Sequence, residues 1–595
     1  IKNSTISNNL KNYKNGDYIV GAVTSLGKTT ISQNSYFVNN SGRWGGAITT
    51  SGSSLPGKKV NELSISESTF SKNGGLYGAG IFIEGSKFTI TSCVFDSNTA
   101  SGKGNMTPND NNGAAIEVTN TDKAITGTIS KTKFTNNKAQ YGGAIDICEG
   151  NIKITDSEFV NNSADVEGGA IDIGSAINNP VVTIEDSKFV NNTPQAIHNS
   201  KELHLGIETF TDLQNAINLV DGILTLDSDI AMTDDEAAGF VDGVAINKNI
   251  RIDGKGHTIS AEDLGRIFSI GEGFTVTLTN ATLINGKADK GGAIYNDGSL
   301  TLSDVKLSDN AADSYGGAVF NNGHLVVSDS VFDSNDIVNR GSASVDYGGA
   351  AIYNWYDGVL TVSGSNFTNN IKNYKNGDRL VGAVTTIGNA TIRDSYFVNN
   401  SGRWGGALAA TGGVSGSAIN TISVDGTKFV NNTALYGGAM FVWASNYTIS
   451  NSVFDNNSAF GKGDMSPNDN NGGALIVTQD NIPVSGKIVN SNFTNNKAQY
   501  GGAAWINEGT VDIDGSNFIN NTATTTAGAI GFDSQYTKII ATVDSSKFVN
   551  NTAGSYAGAI YNLGDLTVSG SEFDNNKAQF GDIIYNNKIY NKEGI

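Results

Sequence analysis

Two Arg-Trp pairs are the residues of this sequence best suited to binding chemistry. Arg43-Trp44 and Arg403-Trp404 each stand directly before a Gly-Gly-Ala corner that we expect to face solvent. An exposed indole can stack on a sugar ring or anchor a protein contact, so we predict binding at these corners. The alternative is that these aromatic rings pack over loops and brace the corners.

Two matching segments, residues 10–17 and 371–378, interrupt the regular pattern of the chain and carry Tyr13 and Tyr374. The regular positions are needed for packing, so we expect binding where the pattern is interrupted. Tyr13 and Tyr374 therefore join the predicted binding residues. The predicted partners are surface glycans or proteins of another cell, or neighbouring copies of the same chain.

Calcium is the one candidate cofactor. Two further matching insertions, at about residues 101–113 and 460–472, are rich in Asn, Asp, Gly and Pro. Their carboxylates are hard oxygen ligands of the kind that calcium prefers. The spacing does not match an EF-hand loop, and the same composition is typical of ordinary loops. The candidate ligands are Asp110, Asp464 and Asp469.

Enzymatic chemistry is not indicated, and we predict a protein without a catalytic site. The sequence shows no paired carboxylates of the kind that glycoside hydrolysis needs and no Cys/His spacing typical of a metal site. Most Asp residues lie in bends, where they form the turn. Cys93 and Cys148 are predicted to be thiols, because Ser452 and Asn507 replace them in the second half of the chain.

Asn-x-Ser/Thr sequences recur at one position of the pattern, where Asn turns the chain. On a surface protein some of these side chains carry glycans. The glycosylation candidates are Asn39, Asn161, Asn399, Asn431, Asn456 and Asn550.

The element that must position these residues is a short repeat. Phe-x-x-Asn is followed by Gly-Gly-Ala-Ile, as in Phe37–Asn40 with Gly45–Ile48, and the pair recurs along almost the whole chain. We expect Phe to fill a core, Asn to turn the chain and form an amide ladder along the outside corner, and Gly-Gly-Ala to make a crowded corner. Short strands at this spacing, without helices between them, predict a right-handed parallel β-helix of the all-β class.

A larger duplication overlies the repeat. Tyr36–Ala47 reappears almost unchanged as Tyr396–Ala407, at an offset of roughly 360 residues that holds along the chain. We therefore predict the C-terminal part of a first β-helix domain over residues 1–200, a linker with an amphipathic capping helix over 201–224, and a second β-helix domain over 225–595. Ile1 begins inside a repeat, so we expect the sequence to be a piece of a longer protein.

The predicted helix begins near Phe210, where the periodicity changes from that of a strand to that of a helix. Leu213, Ile217 and Val220 fall on one helical face, and Thr211 with Gln214 forms a predicted capping box. Such a helix would cover the apolar end of the array that follows it.

The charge excludes one class of partner. The net charge is −19 with a pI near 4.6, whereas nucleic-acid binding needs a basic surface. The sequence shows no run of about 20 apolar residues, so we predict no direct membrane span.

The repeat of Phe-x-x-Asn with Gly-Gly-Ala-Ile resembles that of chlamydial polymorphic outer-membrane proteins. The segment from Phe210-Thr-Asp-Leu-Gln-Asn-Ala-Ile217 through Leu224-Thr-Leu226 to Ile246–Ile259 resembles the domain start of methanogen adhesin-like proteins. Those are surface-displayed archaeal proteins built from tandem right-handed β-helix domains. The resemblance covers essentially the whole chain.

This resemblance implies an extracellular, cell-surface location and a non-enzymatic adhesin or structural rod. Attachment to cells or surfaces would use loops on the β-helix. Two alternatives stay open. One is an envelope or filament subunit that assembles end to end, and the other is a polysaccharide lyase or hydrolase on the same fold.

Overall fold

The computed structural model describes residues 1–9, 20–51, 60–101, 112–119, 125–174, 179–338, 348–371, 380–412, 419–460, 470–478, 484–533 and 539–587. Over these residues the chain is a parallel β-helix, as predicted, and the strands of successive coils pair in parallel register. The chain forms two compact units, one of Ile1–Asp229 with Asn249–Lys255 and the other of Ile230–Lys248 with Gly256–Ile595.

Each coil contributes a strand to three sheets, which we call faces A, B and C. In one coil of the first unit these strands are Asn151–Thr155, Glu158–Val160 and Ile171–Ile173. The first strand alternates exposed and buried side chains, with Ile152 and Ile154 in the core, as expected for a half-buried strand. The coil is irregular in length, because loops of different size join the same three faces.

In the first unit, face A consists of Thr29–Ile31, Asn61–Ser66, Ser86–Thr91, Thr126–Ser130, Asn151–Thr155, Val181–Glu185 and Glu202–His204. Face B consists of Thr5–Ser7, Tyr36–Val38, Thr69–Ser71, Val94–Asp96, Lys133–Thr135, Glu158–Val160 and Lys188–Val190. Face C consists of Val23–Ser25, Ile48–Ser51, Ile81–Glu84, Ile116–Thr119, Ile145–Ile147, Ile171–Ile173, Ile197–Asn199, Val220–Thr225 and Ile250–Asp253. A four-stranded sheet lies between faces B and C in the chain: Gly74–Gly75, Thr99–Ala100, Lys138–Tyr141 and Ser163–Glu167.

In the second unit, Thr275–Ile284 and Ser299–Ser308 run through both face A and face B. The other strands of face A are His324–Ser328, Val359–Ser363, Asn389–Arg393, Thr421–Asp425, Asn446–Ser450, Ser485–Val489, Gly509–Asp514, Ile539–Asp544 and Asp565–Ser569. The other strands of face B are Ile230–Ala231, Thr258–Ser260, Val331–Asp333, Asn366–Thr368, Tyr396–Val398, Lys428–Val430, Val453–Asp455, Asn492–Thr494, Asn517–Ile519, Lys547–Val549 and Glu572–Asp574.

Face C of the second unit is a 13-stranded sheet of Val244–Ile246, Phe268–Ile270, Ile294–Asn296, Val319–Asn321, Ile352–Asn354, Val384–Thr386, Leu408–Thr411, Met440–Trp443, Leu475–Thr478, Ala504–Ile506, Ile530–Phe532, Ile560–Asn562 and Ile584–Asn586. Short strands make three small sheets: Lys287–Lys290, Ala311–Tyr315 and Asp336–Ile337; Gly348–Gly349 and Leu380–Val381; and Lys497–Tyr500, Thr522–Thr526 and Thr552–Ala553.

The repeat phenylalanine is the middle residue of each short strand of face B, and its side chain points into the core, as predicted. In the first unit the rings from Phe37 to Phe189 stack with centroids 4.7–5.1 Å apart. In the second unit the stack from Phe332 to Phe573 has centroids 4.5–5.0 Å apart. Each fully buried ring stabilises the fold by about 1.5–3 kcal/mol relative to an exposed one.

The continuous amide ladder lies inside the corner rather than on the predicted outside corner, where some exposed Asn pairs also bond between coils. Most turns have two Asn residues: the first is exposed with a positive φ, such as Asn456 at 53°, and the second, such as Asn457, is buried. Asn457 Nδ2 donates to Oδ1 of Asn496 at 3.0 Å and to the carbonyl oxygen of Phe429 at 2.9 Å. The ladder is internal because backbone groups of the turn would otherwise be buried without hydrogen bonds.

The Gly-Gly-Ala corner is crowded for the predicted reason. The first glycine needs a positive φ, as at Gly501 with 66°. A Cβ atom on the second, Gly502, would stand 2.2 Å from the carbonyl oxygen of Gly528 in the next coil. Only glycine therefore allows successive coils to approach this closely.

One helix, Phe210–Leu219, is present among the described residues and lies in the first unit. Leu213 and Ile217 are buried as predicted, whereas Val220 already begins the next strand. The predicted capping box is wrong by two residues: the N-cap is Thr209, and its box partner is Asp212. Asp212 replaces the expected Gln214 because a carboxylate both accepts from the N-cap backbone and favours the positive end of the helix.

The predicted domain boundaries, after residues 200 and 224, both fall inside the first compact unit. Ile197 on face C pairs with Val220, so the strand after the helix continues the sheet of the first unit. The predicted linker is thus packed into a coil.

Candidate functional site

The predicted Arg-Trp corners are half-buried. The guanidinium carbon of Arg43 lies 4.7 Å from the centre of the Trp44 indole, and that of Arg403 lies 4.8 Å from the Trp404 indole. Trp404 also packs against a buried apolar cluster that includes Phe441. The two copies therefore repeat the same Arg-Trp stack, and its use for binding stays a prediction.

Other predicted site residues lie outside the described residues. These are the binding candidates Tyr13 and Tyr374 and the calcium candidates Asp110, Asp464 and Asp469.

The six glycosylation candidates are all exposed and all have a positive φ between 53° and 58°. Each is the first Asn of its turn, so its side chain points away from the core. The amide groups also contact one another between coils: Nδ2 of Asn456 donates to Oδ1 of Asn431 at 2.7 Å. Glycan attachment at these positions stays a prediction.

A row of ionisable side chains, which we call the acidic row, follows face C of the first unit. Each member is the central residue of its strand, between two core-facing residues, so it lies on the outer side of the sheet. The members occupy adjacent strands in direct register. They are Glu117, Asp146, Asp172 and His198.

The acidic row is largely removed from solvent. Asp146 is only 2 % exposed. Burial raises the pKa of its carboxyl group well above the usual value, and the neighbouring charge of Asp172 raises it further. Hydrogen bonds from Cys148 and Asn112 act in the opposite direction. A proton or a cation must therefore offset part of the negative charge of this row.

His198 lies beside two carboxylates, and Asp221 of the next strand follows it in register. Its Nδ1 atom lies 2.6 Å from Oδ1 of Asp172 and 3.5 Å from Oε2 of Glu167. The hydrogen bond with Asp172 raises the pKa of the imidazole. Two groups with donor atoms within 4.8 Å of one another result: Glu117 with Asp146 and Cys148, and Glu167 with Asp172 and His198.

Both cysteines are free thiols, as the sequence predicts. Cys93 is buried, and its Sγ donates to the carbonyl oxygen of Thr91 at 3.3 Å. Burial raises the pKa of Cys93 to about 11. Burial also raises the pKa of Cys148, with Asp146 adding to the effect. Neither thiol is therefore a ready nucleophile.

The same outer row of face C is apolar in the second unit. Phe441 and Trp505 are buried members of a cluster that also includes Ile476, and Tyr561 packs against it half-buried. The rings of Trp505 and Tyr561 are stacked with centroids 6.1 Å apart. We call Phe441, Ile476, Trp505 and Tyr561 the aromatic row.

A second aromatic group lies earlier on the same sheet. Tyr295 and Phe320 stack with ring centroids 5.0 Å apart, and Phe320 continues to Tyr353 at 5.9 Å. Lys290 Nζ lies 5.3 Å from the Phe320 ring centre and 5.9 Å from that of Trp355. Aromatic and cationic groups thus share the outer side of this face.

Sequence reasoning missed both rows. The residue that forms each row can be found in the sequence: it stands between the two core-facing residues after Gly-Gly-Ala. In the first copy it is Asp146 of Ile145-Asp-Ile147, and at the equivalent position of the second copy it is Trp505 of Ala504-Trp-Ile506. Aligning the two copies on that motif shows that one set of side chains replaces the other as a whole. Ile476, Trp505, Gly531 and Tyr561 stand where the first unit has Glu117, Asp146, Asp172 and His198.

Comparison with known proteins adds little beyond the fold. No protein-family model matches the chain, and no curated protein matches it. Among solved structures it is similar to the PL6 family alginate lyase AlyGC, with 9% identity, a TM-score of 0.18, and coverage of 96% of this chain and 94% of that one. A mutant of that lyase gives 8% identity, a TM-score of 0.16 and 95% coverage of both chains. Similarity at this level carries no argument about activity.

The class that fold and faces define is a parallel β-helix repeat protein. In the described part of the chain no helix is long and apolar enough to cross a membrane.

Proposed function

We propose that the protein is a non-enzymatic attachment protein of the cell surface, an adhesin or structural rod that binds its partner along the β-helix. The aromatic row and its neighbours carry this proposal. The outer side of a solvated sheet is expected to be polar, yet here it is aromatic over several strands. Phe441, Ile476 and Trp505 are buried, so contact with another molecule falls to the exposed apolar surface beside them. Aromatic rings suit both sugars and proteins.

The accessible part of this surface lies at its later coils. Tyr556 is 37 % exposed and Phe580 is 48 % exposed, and their rings stack with centroids 5.4 Å apart. The ring centroid of Tyr585 lies 4.8 Å from that of Tyr556 and 5.8 Å from that of Tyr561, on which it stacks. These four rings form a continuous set of contacts from the exposed rings to the buried aromatic row. A bound partner would therefore contact rings that are held in place by packing.

Retention of the chain on insoluble cellulose, chitin, an immobilised uronic-acid polysaccharide and intact cells tests the proposal. We expect retention on at least one of these, and a loss of affinity of about 5- to 150-fold for Tyr556→Ala combined with Phe580→Ala, since each of the two aromatic contacts contributes about 0.5–1.5 kcal/mol. Tyr396→Ala is the matched control, because Tyr396 is 43 % exposed on face B of the same unit. Equal retention of all three proteins would contradict attachment through this surface.

The acidic row supports an enzyme as a second candidate. Asp146 and Asp172 occupy adjacent strands in register, so their Cα atoms lie about 5 Å apart. Retaining glycosidases also use a pair of neighbouring carboxyl groups. Incubation with neutral and acidic polysaccharides, followed by reducing-end and ultraviolet assays, tests this candidate. Turnover that Asp146→Asn abolishes would favour the enzyme, and no turnover with any of these substrates would remove it.

A further inference from the structure

The first unit holds a cluster of metal-ligating atoms that the attachment proposal does not use. Glu167, Asp172 and His198 offer two carboxylate oxygens and one imidazole nitrogen within 4.8 Å of one another. All three are half-buried, so an ion has access from solvent. Asp146 stands next to Asp172 in register, which places a further carboxylate beside the group.

We propose that Glu167, Asp172 and His198 bind a divalent cation of the zinc class as its three protein ligands, with a fourth position open.

The geometry suits such an ion with a small adjustment. Zinc ligand atoms stand about 3.3 Å apart when each is about 2.0–2.2 Å from the metal. The 3.5 Å separation of His198 Nδ1 from Glu167 Oε2 already fits. The 2.6 Å contact of the same nitrogen with Asp172 Oδ1 is a hydrogen bond, and it lengthens by about 0.7 Å when a metal replaces the proton.

The donor set distinguishes zinc from calcium. Calcium takes six to eight oxygen ligands, whereas a single imidazole with two carboxylates is a three-ligand set typical of zinc. The imidazole nitrogen of His198 favours a borderline metal such as zinc over calcium or magnesium. This site is thus separate in place and chemistry from the calcium candidates of the inserted loops.

A buried polar atom without a hydrogen-bond partner lies next to the neighbouring group of Glu117, Asp146 and Cys148. Asn112 hydrogen-bonds Asp146 through its side chain. The Asn112 Oδ1 atom has practically no accessible surface and accepts no hydrogen bond from any residue that the structure describes. A buried amide oxygen without a donor is costly, and this one lies beside Asp146, which adjoins the proposed ligand Asp172 in register.

The duplicated unit provides an internal comparison. Tyr561 replaces His198 there, Gly531 replaces Asp172, and Trp505 replaces Asp146. None of these three side chains of the first unit is retained in the second unit. The strand positions around them are retained as Ala504–Ile506, Ile530–Phe532 and Ile560–Asn562, each after a Gly-Gly-Ala or Ala-Gly-Ala corner. Side chains that are present or absent together are expected of a shared ligand rather than of separate surface ion pairs.

Zinc binding is tested on the full chain after chelator treatment, by titration calorimetry and by metal analysis after dialysis. We expect wild type to bind zinc, and His198→Gln or Asp172→Asn to weaken binding at least about tenfold. His204→Gln is the matched control. His204 also contacts an aspartate, Asp227, but among the described residues it belongs to no group of three ligands. Its zinc affinity should equal that of wild type.

Cobalt substitution distinguishes a lost ligand from a misfolded variant. Wild type should develop the visible absorption of a low-coordinate cobalt site, and His198→Gln should lose it while keeping its circular dichroism. Absence of zinc binding by wild type at 100-fold excess, or equal binding by wild type and both ligand variants, would overturn the proposal. Displacement of zinc by an equal concentration of calcium would overturn it as well. None of these outcomes depends on whether the chain attaches to glycans or cells.

Discussion

The indole of Trp505 lies over the backbone of Gly531 in the next coil: a Cβ atom on Gly531 would stand 2.1 Å from Cε3 of the indole. Glycine thus makes room for the largest side chain of the aromatic row. The two residues replace an aspartate pair of the first unit, Asp146 and Asp172, so the change from a charged row to an aromatic one required both substitutions.

Gly531→Ala should therefore destabilise the chain through Trp505. We expect the free energy of unfolding to fall by about 1–3 kcal/mol, because the indole has to leave its packed position. In a Trp505→Ala background the same change should cost nothing or stabilise slightly, since alanine is less flexible than glycine when unfolded. Urea denaturation of the two single variants and the double variant measures this coupling. Additive effects would show that the two residues do not contact each other.

The buried Asn ladder should be far more sensitive than the exposed Asn beside it. Asn457→Ala removes the donor to Phe429 and Asn496 and the acceptor for the Asn432 amide, leaving several buried groups without partners. We expect a loss of about 3 kcal/mol or more of unfolding free energy. Asn456→Gly, one residue earlier, keeps the positive φ and should change stability by less than about 1 kcal/mol. Chemical denaturation of both variants measures the difference, and equal losses would contradict an internal ladder.

The fold could be predicted because its cause is local and repeated. Phe37, Gly45 and Gly46 each perform one structural task, and the same residue types recur wherever the task recurs. The side of the corner on which the Asn ladder lies could not be predicted, because both Asn residues of a turn read alike until the backbone assigns one a positive φ.

The candidate site could be predicted only in part, for a different reason. Asp146, Asp172 and His198 are separated by about 26 residues each and come together only through strand register. The only local signal is the position of Asp146 between two core-facing residues after Gly-Gly-Ala, and it does not show which other residues join the cluster. The Arg-Trp corners were visible because the whole motif is contiguous and duplicated, as in Arg43-Trp44.

Acid should weaken one set of contacts between coils. Oδ1 of Asp425 accepts hydrogen bonds from Ser450 Oγ at 2.6 Å and Asn451 Nδ2 at 2.7 Å. These bonds lower the pKa of Asp425 in the folded chain below its unfolded value, so the stability they provide is present above about pH 4 and is lost as the pH falls through the folded pKa. Asp425→Asn should therefore be less stable than wild type at neutral pH.

The difference in unfolding free energy between wild type and Asp425→Asn should be constant from pH 7 to about pH 5 and shrink below about pH 4. Urea denaturation across this range measures it. Ser450→Ala removes one of the donors and should reproduce part of the same pH dependence. A difference that does not change with pH would show that the carboxylate charge is not what these hydrogen bonds stabilise.

We expect the largest loss of stability from a substitution at the glycine corner, because a side chain added there would meet backbone atoms. A Cβ atom on Gly502 would stand 2.2 Å from the carbonyl oxygen of Gly528 and 2.7 Å from the Thr522 backbone. Unlike the indole of Trp505, these atoms cannot rotate away, and moving them separates two coils. We expect Gly502→Ala to cost at least about 3 kcal/mol, at the upper end for overpacking, and no truncation of a neighbouring side chain should rescue it. Gly27→Ala is the control, since a Cβ atom there meets no other atom within 4 Å. Thermal and urea unfolding of both variants would contradict this account if Gly502→Ala were as stable as Gly27→Ala.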